Sequence, residues 1–240
     1  MTGTRPRLGA LAVLAAAAVV AVFRHAPIPQ DQSYHAFADA RAWLGIPNFG
    51  DVMSNLVFLV VGAYGLRRSP AANRPAYLTL CVGVLLVSLG SAYYHWSPSD
   101  ATLLWDRLPM TVAFMGLFAM LLEERVTDFK TLPVLVALGV ASALYWRETG
   151  DLRAYILVQF LPLMLMPLIL LLFPRRYLDG RLLMTAVFFY VLAKVLETCD
   201  RQVFSSFVLS GHTLKHLSAG VASFFVIQAV PAKEDPCCSV

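Results

Sequence analysis

The sequence predicts an all-α integral membrane protein: a seven-transmembrane helix bundle preceded by an N-terminal helix of signal-anchor type. Three observations predict it. Of the 240 residues, 58% are hydrophobic and 14% charged, against about 45–50% apolar and about 25% charged in soluble domains, and the mean hydropathy is +0.66. The apolar residues gather in runs of helix length separated by short polar loops, the pattern of bilayer-crossing segments. Lysine and arginine are distributed asymmetrically. With the N-terminus inside, eleven of them, Arg67, Arg68, Arg74, Arg175 and Arg176 included, fall on the inner side. Six, including Arg24, Arg107 and Arg153, fall on the outer side, and Lys194 and Lys215 lie within spans. That bias places both termini in the cytoplasm. The net charge of +4 is therefore a topology signal, and no nucleic-acid partner is expected.

Residues 1–23 form the first unit. Arg5 and Arg7 precede the alanine-rich apolar run Leu8 to Phe23, which at 16 residues is shorter than the ~20 that span a bilayer comfortably. It reads as an uncleaved signal anchor, with a cleaved signal peptide as the alternative. Residues 24–50, RHAPIPQDQSYHAFADARAWLGIPNFG, mix prolines, aspartates and two histidines and are amphipathic around Ala36 to Trp43. They read as an external interfacial segment, with His25 and His35 solvated.

Seven hydrophobic spans follow within residues 51–230, at 51–66, 75–95, 103–122, 131–146, 153–173, 182–198 and 212–230. Residues 231–240 form a cytoplasmic tail containing Cys237 and Cys238. The four cysteines show neither metal spacing nor a disulfide framework, and Cys81 reads as packing.

The seventh span opens with GHTLKH, residues 211–216. Histidines four apart lie about 40° from each other on a helix, so both rings can face one point. The second span ends in SAYYHW, with Ser91 and His95 also four apart, and WDRLPM opens the third with Asp106 at the same membrane level. Three helices thus bring three histidines, a serine and an aspartate together near the outer face. Three imidazoles with an open fourth position suit catalytic zinc, which lowers the pKa of bound water towards ~7 and polarises a carbonyl. Asp106 is placed to orient or deprotonate water, and Ser91 to hydrogen-bond the water or a developing oxyanion. Structural roles stand beside these: an ion pair of Asp106 with Arg107, and Ser91 as a small residue at a helix contact.

The set Ser91, His95, Asp106, His212 and His216, in this order, spacing and helix assignment, resembles the alkaline ceramidase family, part of the seven-helix membrane hydrolases that include the adiponectin-receptor-like proteins. DVMSNLVF, with Ser54 and Asn55, adds to the resemblance, which covers about residues 30–230. It implies a zinc-dependent amidase of bacterial type in the inner membrane, cleaving the N-acyl bond of a ceramide-like lipid to release a fatty acid and a sphingoid base. His95, His212 and His216 would hold Zn2+, with Asp106 and Ser91 catalytic. The family's Ca2+-binding acidic cluster is not matched residue for residue, although Asp31, Asp39, Asn48 and Asp51 offer oxygens in that region.

Outside this set, Lys194 and Glu197 are three apart and read as a pair, with head-group binding as the alternative. Lys215 is expected to point away from the histidines and snorkel to lipid phosphates. Tyr93, Tyr94, Trp96 and Trp105 read as an interfacial aromatic belt, with substrate contact as the alternative. Three other functions stay open: an ester-lipid hydrolase, a seven-helix sensor with structural zinc, and a proton-coupled transporter.

Overall fold

In a computed structural model, described for residues 4–71 and 73–233, every regular element is helical. Cys237 and Cys238 lie outside the described residues. The elements are α1 (Thr4–Arg24), α2 (Phe49–Ser54), α3 (Leu56–Arg67), α4 (Arg74–Trp96), α5 (Asp100–Arg125), α6 (Leu132–Thr149), α7 (Arg153–Leu172), α8 (Gly180–Thr198), α9 (Asp200–Ser206) and α10 (Gly211–Ala229). Each of the seven expected spans is helical, the first being divided between α2 and α3 at Asn55.

Five of these segments are long and apolar enough to cross a membrane: α1, α2 with α3, α4, α5 and α7. Counting α8 and α9, which meet at a bend of 81°, as one broken span makes six. Neither α6 nor α10 meets the same measure. The polar residues in them, Arg147 and Glu148 in α6 and His212, Lys215 and His216 in α10, dilute their hydropathy. The protein is nonetheless integral to the membrane. Many of the large side chains left uncovered on helix faces are apolar, among them Val60, Leu89, Leu138, Leu171 and Phe188, a belt that lipid covers and water would not tolerate.

The core lies where α4 packs along α5 and α10 packs along α8, with α3 against α4. Tyr77, Leu80, Cys81 and Val84 of α4, Met115 and Ala119 of α5, and Val226 and Ile227 of α10 are all buried in it. The packing role expected of Cys81 is what the structure shows.

Loop ends are tied by charged groups. Glu124 accepts from the backbone N–H groups of Arg176, Tyr177 and Leu178, while Arg125 donates to the carbonyls of Phe173 and Leu178. Helix α1 runs antiparallel along α7. Arg7 donates to the Leu172 carbonyl at 2.8 Å at one end, and Arg153 to that of His25 at 2.7 Å at the other.

Residues 25–48 contain one 3-10 turn, Gln32–His35, and otherwise follow an irregular path over the end of the bundle where α4 stops and α5 begins. This differs from a solvated interfacial segment. The His35 ring lies 2.8 Å from the Tyr94 hydroxyl and 3.0 Å from Asp100. Ala38 donates its N–H to Asp200, and Asn48 donates to the His95 carbonyl. The helix ends beneath present unpaired polar groups, and the segment satisfies them.

Candidate metal centre

Two local features seat the start of α10. Ser210 caps the helix by accepting from the Thr213 N–H at 2.9 Å. Gly211 lets the backbone enter the bend between α8 and α9, because a Cβ there would stand 2.3 Å from the Leu196 carbonyl oxygen. Asp200, at that bend, then accepts from the His212 N–H at 2.8 Å.

From this anchored turn His212 and His216 face His95 of α4. The ring centroids are 4.8 Å apart for His95 with each of the others and 5.0 Å for His212 with His216. One ligating nitrogen from each ring falls within 4.8 Å of the others, and all three residues are buried. Phe37, from the irregular segment 25–48, closes the cluster from above, with its ring 4.6 Å from that of His95 and 4.8 Å from that of His212.

The residues present fit a metal ion. Both ring nitrogens of His95 are buried without a hydrogen-bond partner, an arrangement that costs free energy unless something uses a lone pair. His216 is set up by Ser54, whose hydroxyl lies 3.0 Å from the Asp51 carbonyl and 2.7 Å from His216 Nδ1. A hydroxyl has one proton. Donated to Asp51, it leaves an oxygen lone pair to accept from Nδ1–H, which frees Nε2 of His216 to ligate. Among the described residues no fourth His, Cys, Asp or Glu joins this group.

Ser91 and Asp106 come to the same place. Ser91 lies beside the Asp106 carboxylate across the α4–α5 contact, and both line a cavity of about 450 Å³ whose wall includes His216. Gly90 makes that contact close: a Cβ on it would stand 1.9 Å from the Trp105 carbonyl oxygen. From this polar mouth the cavity runs inward between α4, α5, α7, α8 and α10, past Val84, Phe114, Met166 and Val226. From His216 to Val226 it extends about 15 Å at the helical rise.

A family model described as Ceramidase matches residues 46–232. The chain belongs to the ceramidase family. That membership is what the resemblance of the motif set implied, and it supports a membrane hydrolase acting on amide bonds. No curated protein matches the chain, and no solved structure does. All five expected site residues and Ser54 lie inside the ceramidase match; α1 and Phe37 lie outside it.

Several site residues differ from the sequence reading. Lys215 does not snorkel. Its ammonium sits 2.7 Å from Glu197 and 3.2 Å from His212 Nε2, with 16% of the side chain exposed. Residues three apart are neighbours on a helix, so Lys215 was bound to fall beside His212. The ammonium is shared between the Glu197 carboxylate and the His212 imidazole. The expected Lys194–Glu197 pair is present, and Tyr34 adds a hydrogen bond to the same carboxylate at 3.1 Å.

Tyr94 is not in the aromatic belt but buried against His35 and Phe37, whereas Tyr93, Trp96 and Trp105 stay exposed. Asp106 and Arg107 make no ion pair. The residues weighed for calcium do not form one cluster. Asp31 accepts from the Ser33 N–H, Asp39 binds Arg41, Asn48 donates its amide to the His95 carbonyl, and one oxygen of Asp51 accepts from Ser210 and Thr213 while the other is buried without a partner.

The parts missed were Ser54 as the partner of His216, and Phe37 and Glu197 as walls. For Ser54 a signal existed in DVMSNLVF, but not the identity of its partner.

Proposed function

We propose that the chain is a zinc-dependent amidohydrolase embedded in the membrane that cleaves a ceramide-like N-acyl lipid to a fatty acid and a sphingoid base. The observation that carries this is His95, buried with two unpartnered nitrogens and facing two further histidines, of which His216 lines a deep apolar cavity, in a chain of the ceramidase family. His95, His212 and His216 would hold the ion. Zinc there supplies Lewis acidity, which activates water near neutral pH and polarises an acyl carbonyl.

The chain's own residues do the rest. The Asp106 carboxylate accepts the proton that the attacking water loses and returns it to the departing amine nitrogen as the C–N bond breaks and the C–O bond forms. The Ser91 hydroxyl donates to the carbonyl oxygen as negative charge develops on it. The apolar cavity holds the hydrocarbon chains and keeps bulk water out. In this reading residues 51–230 are the hydrolase unit and cross the bilayer seven times, with the histidines towards the outer leaflet and both termini cytoplasmic, in a bacterial inner membrane.

Purified protein is expected to carry about one zinc per chain and to release fatty acid from an N-acyl lipid, with His212→Ala losing both. A panel pairing amide with ester lipids decides the bond cleaved. Full turnover by metal-stripped protein, or by the His212→Ala variant, sinks the proposal.

A further inference from the structure

Arg107, next to Asp106 on α5, takes no part in the chemistry above, yet it lines the same cavity. It is 6% exposed. Its guanidinium lies 4.0 Å from the Trp146 ring centroid and 4.7 Å from that of Tyr155. One nitrogen, Nη2, donates to the neutral side-chain oxygen of Gln30 at 2.6 Å. The other, Nη1, is buried with no partner.

No carboxylate among the described residues lies within ion-pair distance of Arg107. The three acids along the cavity face other groups: Glu197 binds Lys194 and Lys215, Asp31 accepts from the Ser33 N–H, and Asp106 lies beside Ser91. Two aromatic faces shield the cation from water and offset part of its desolvation. They offer no formal negative charge. A buried guanidinium with a free N–H edge is suited to a carboxylate or phosphate, which accepts two parallel hydrogen bonds from it. The apolar walls deeper in the cavity identify the bearer of that anion as a lipid.

We propose that Arg107 anchors an oxyanion of the lipid lying in the cavity. The anion is either an acidic head group on the N-acyl lipid or the carboxylate that hydrolysis releases. This rests on the lipid-hydrolase reading, but its test does not need turnover.

The full chain in non-ionic detergent is titrated calorimetrically with hexadecyl phosphate, palmitate and hexadecanol at about pH 9, well above ordinary carboxylate values. The expected result is binding of at least one anion about tenfold or more tighter than the alcohol, as one charge-assisted contact provides. Arg107→Gln then binds all three alike. Preference for the phosphate assigns the anion to a head group; equal or tighter binding of palmitate assigns it to the released carboxylate.

Wild-type protein that treats the three alike overturns the proposal, as does Arg107→Gln that keeps the preference. The wild-type comparison and Arg107→Lys, expected to retain part of the preference, decide the matter if Arg107→Gln does not fold. Hydrolysis without anion preference defeats this inference alone, whereas anion preference in a protein that hydrolyses no lipid defeats only the hydrolase reading.

Discussion

Ser54→Ala tests whether the histidine cluster is a metal site and whether Ser54 orients it. Ser54 is 9% exposed and His216 2%, so water does not readily replace a lost hydroxyl. With Nε2 committed to a metal, the imidazole proton must sit on Nδ1, and Ser54 Oγ at 2.7 Å is its acceptor. The variant deprives that buried N–H of its nearest acceptor and leaves it only the Asp51 carbonyl, at a cost of about 1–3 kcal/mol. At about 1.4 kcal/mol per decade this is roughly a 5- to 150-fold loss of zinc affinity. The range brackets the effect usual for partners that orient metal-bound histidines, about 10- to 100-fold.

The metal-free form escapes most of the cost, because its proton can move to Nε2. Competition with a chromophoric chelator measures the affinity, and thermal unfolding with and without metal separates the two states. Zinc affinity within about twofold of wild type, below even the smallest buried-donor penalty, refutes the reasoning.

Three further outcomes follow from the packing and charge arrangement. Gly90→Ala forces α4 and α5 apart beside Ser91 and Asp106. It should cost about 1–3 kcal/mol or more and most of the activity, whereas Gly9→Ala, with nothing within 4 Å of its Cβ, should cost neither; detergent melting curves and turnover compare the two. Glu197→Gln strips the carboxylate from Lys194 and Lys215 and should destabilise by about 3–5 kcal/mol, with Lys215→Met added to it recovering part of the loss in the same melts.

Asp151 accepts from the Ile28 N–H and pairs with Arg153, whose guanidinium holds the carboxyl well below the usual carboxylate range. A depressed folded value contributes stability above the unfolded value, about 3.9, and loses it only as the pH falls through the folded one. Protease resistance of residues 25–40 should therefore hold from neutral pH down to about pH 4 in wild type, whereas Asp151→Asn should lower it already at neutral pH.

The membrane class, the helices and the three histidines were legible in the sequence because each rests on local spacing. Apolar runs of helix length show their own boundaries, and His212 and His216 share a face wherever α10 packs. Counting Lys215 by the same rule would have placed it beside His212. His95, Ser91 and Asp106 needed one more step, the alternation of helix direction across a bilayer, which brings distant residues to one level. That step does not show contacts. The contacts of residues 25–48 were not legible for this reason: polar residues such as His35 fit solvent as well as they fit Tyr94, Asp100 and Asp200, and only the folded bundle presents those partners.

What the sequence by itself determined is the helical membrane class and the helix faces on which the three histidines fall, since covalent spacing and hydropathy constrain them before any helix meets another; the resemblance of the motif set added the family. Only the tertiary structure decided which hydroxyl serves His216, a contact spanning 162 residues. It alone also showed that Glu197 balances Lys215 and that Arg107 faces the cavity without an anion. Such contacts depend on how far apart helices pack and which faces they turn to each other. Close approaches such as Gly90 against Trp105 set those distances, and no periodicity in the chain encodes them.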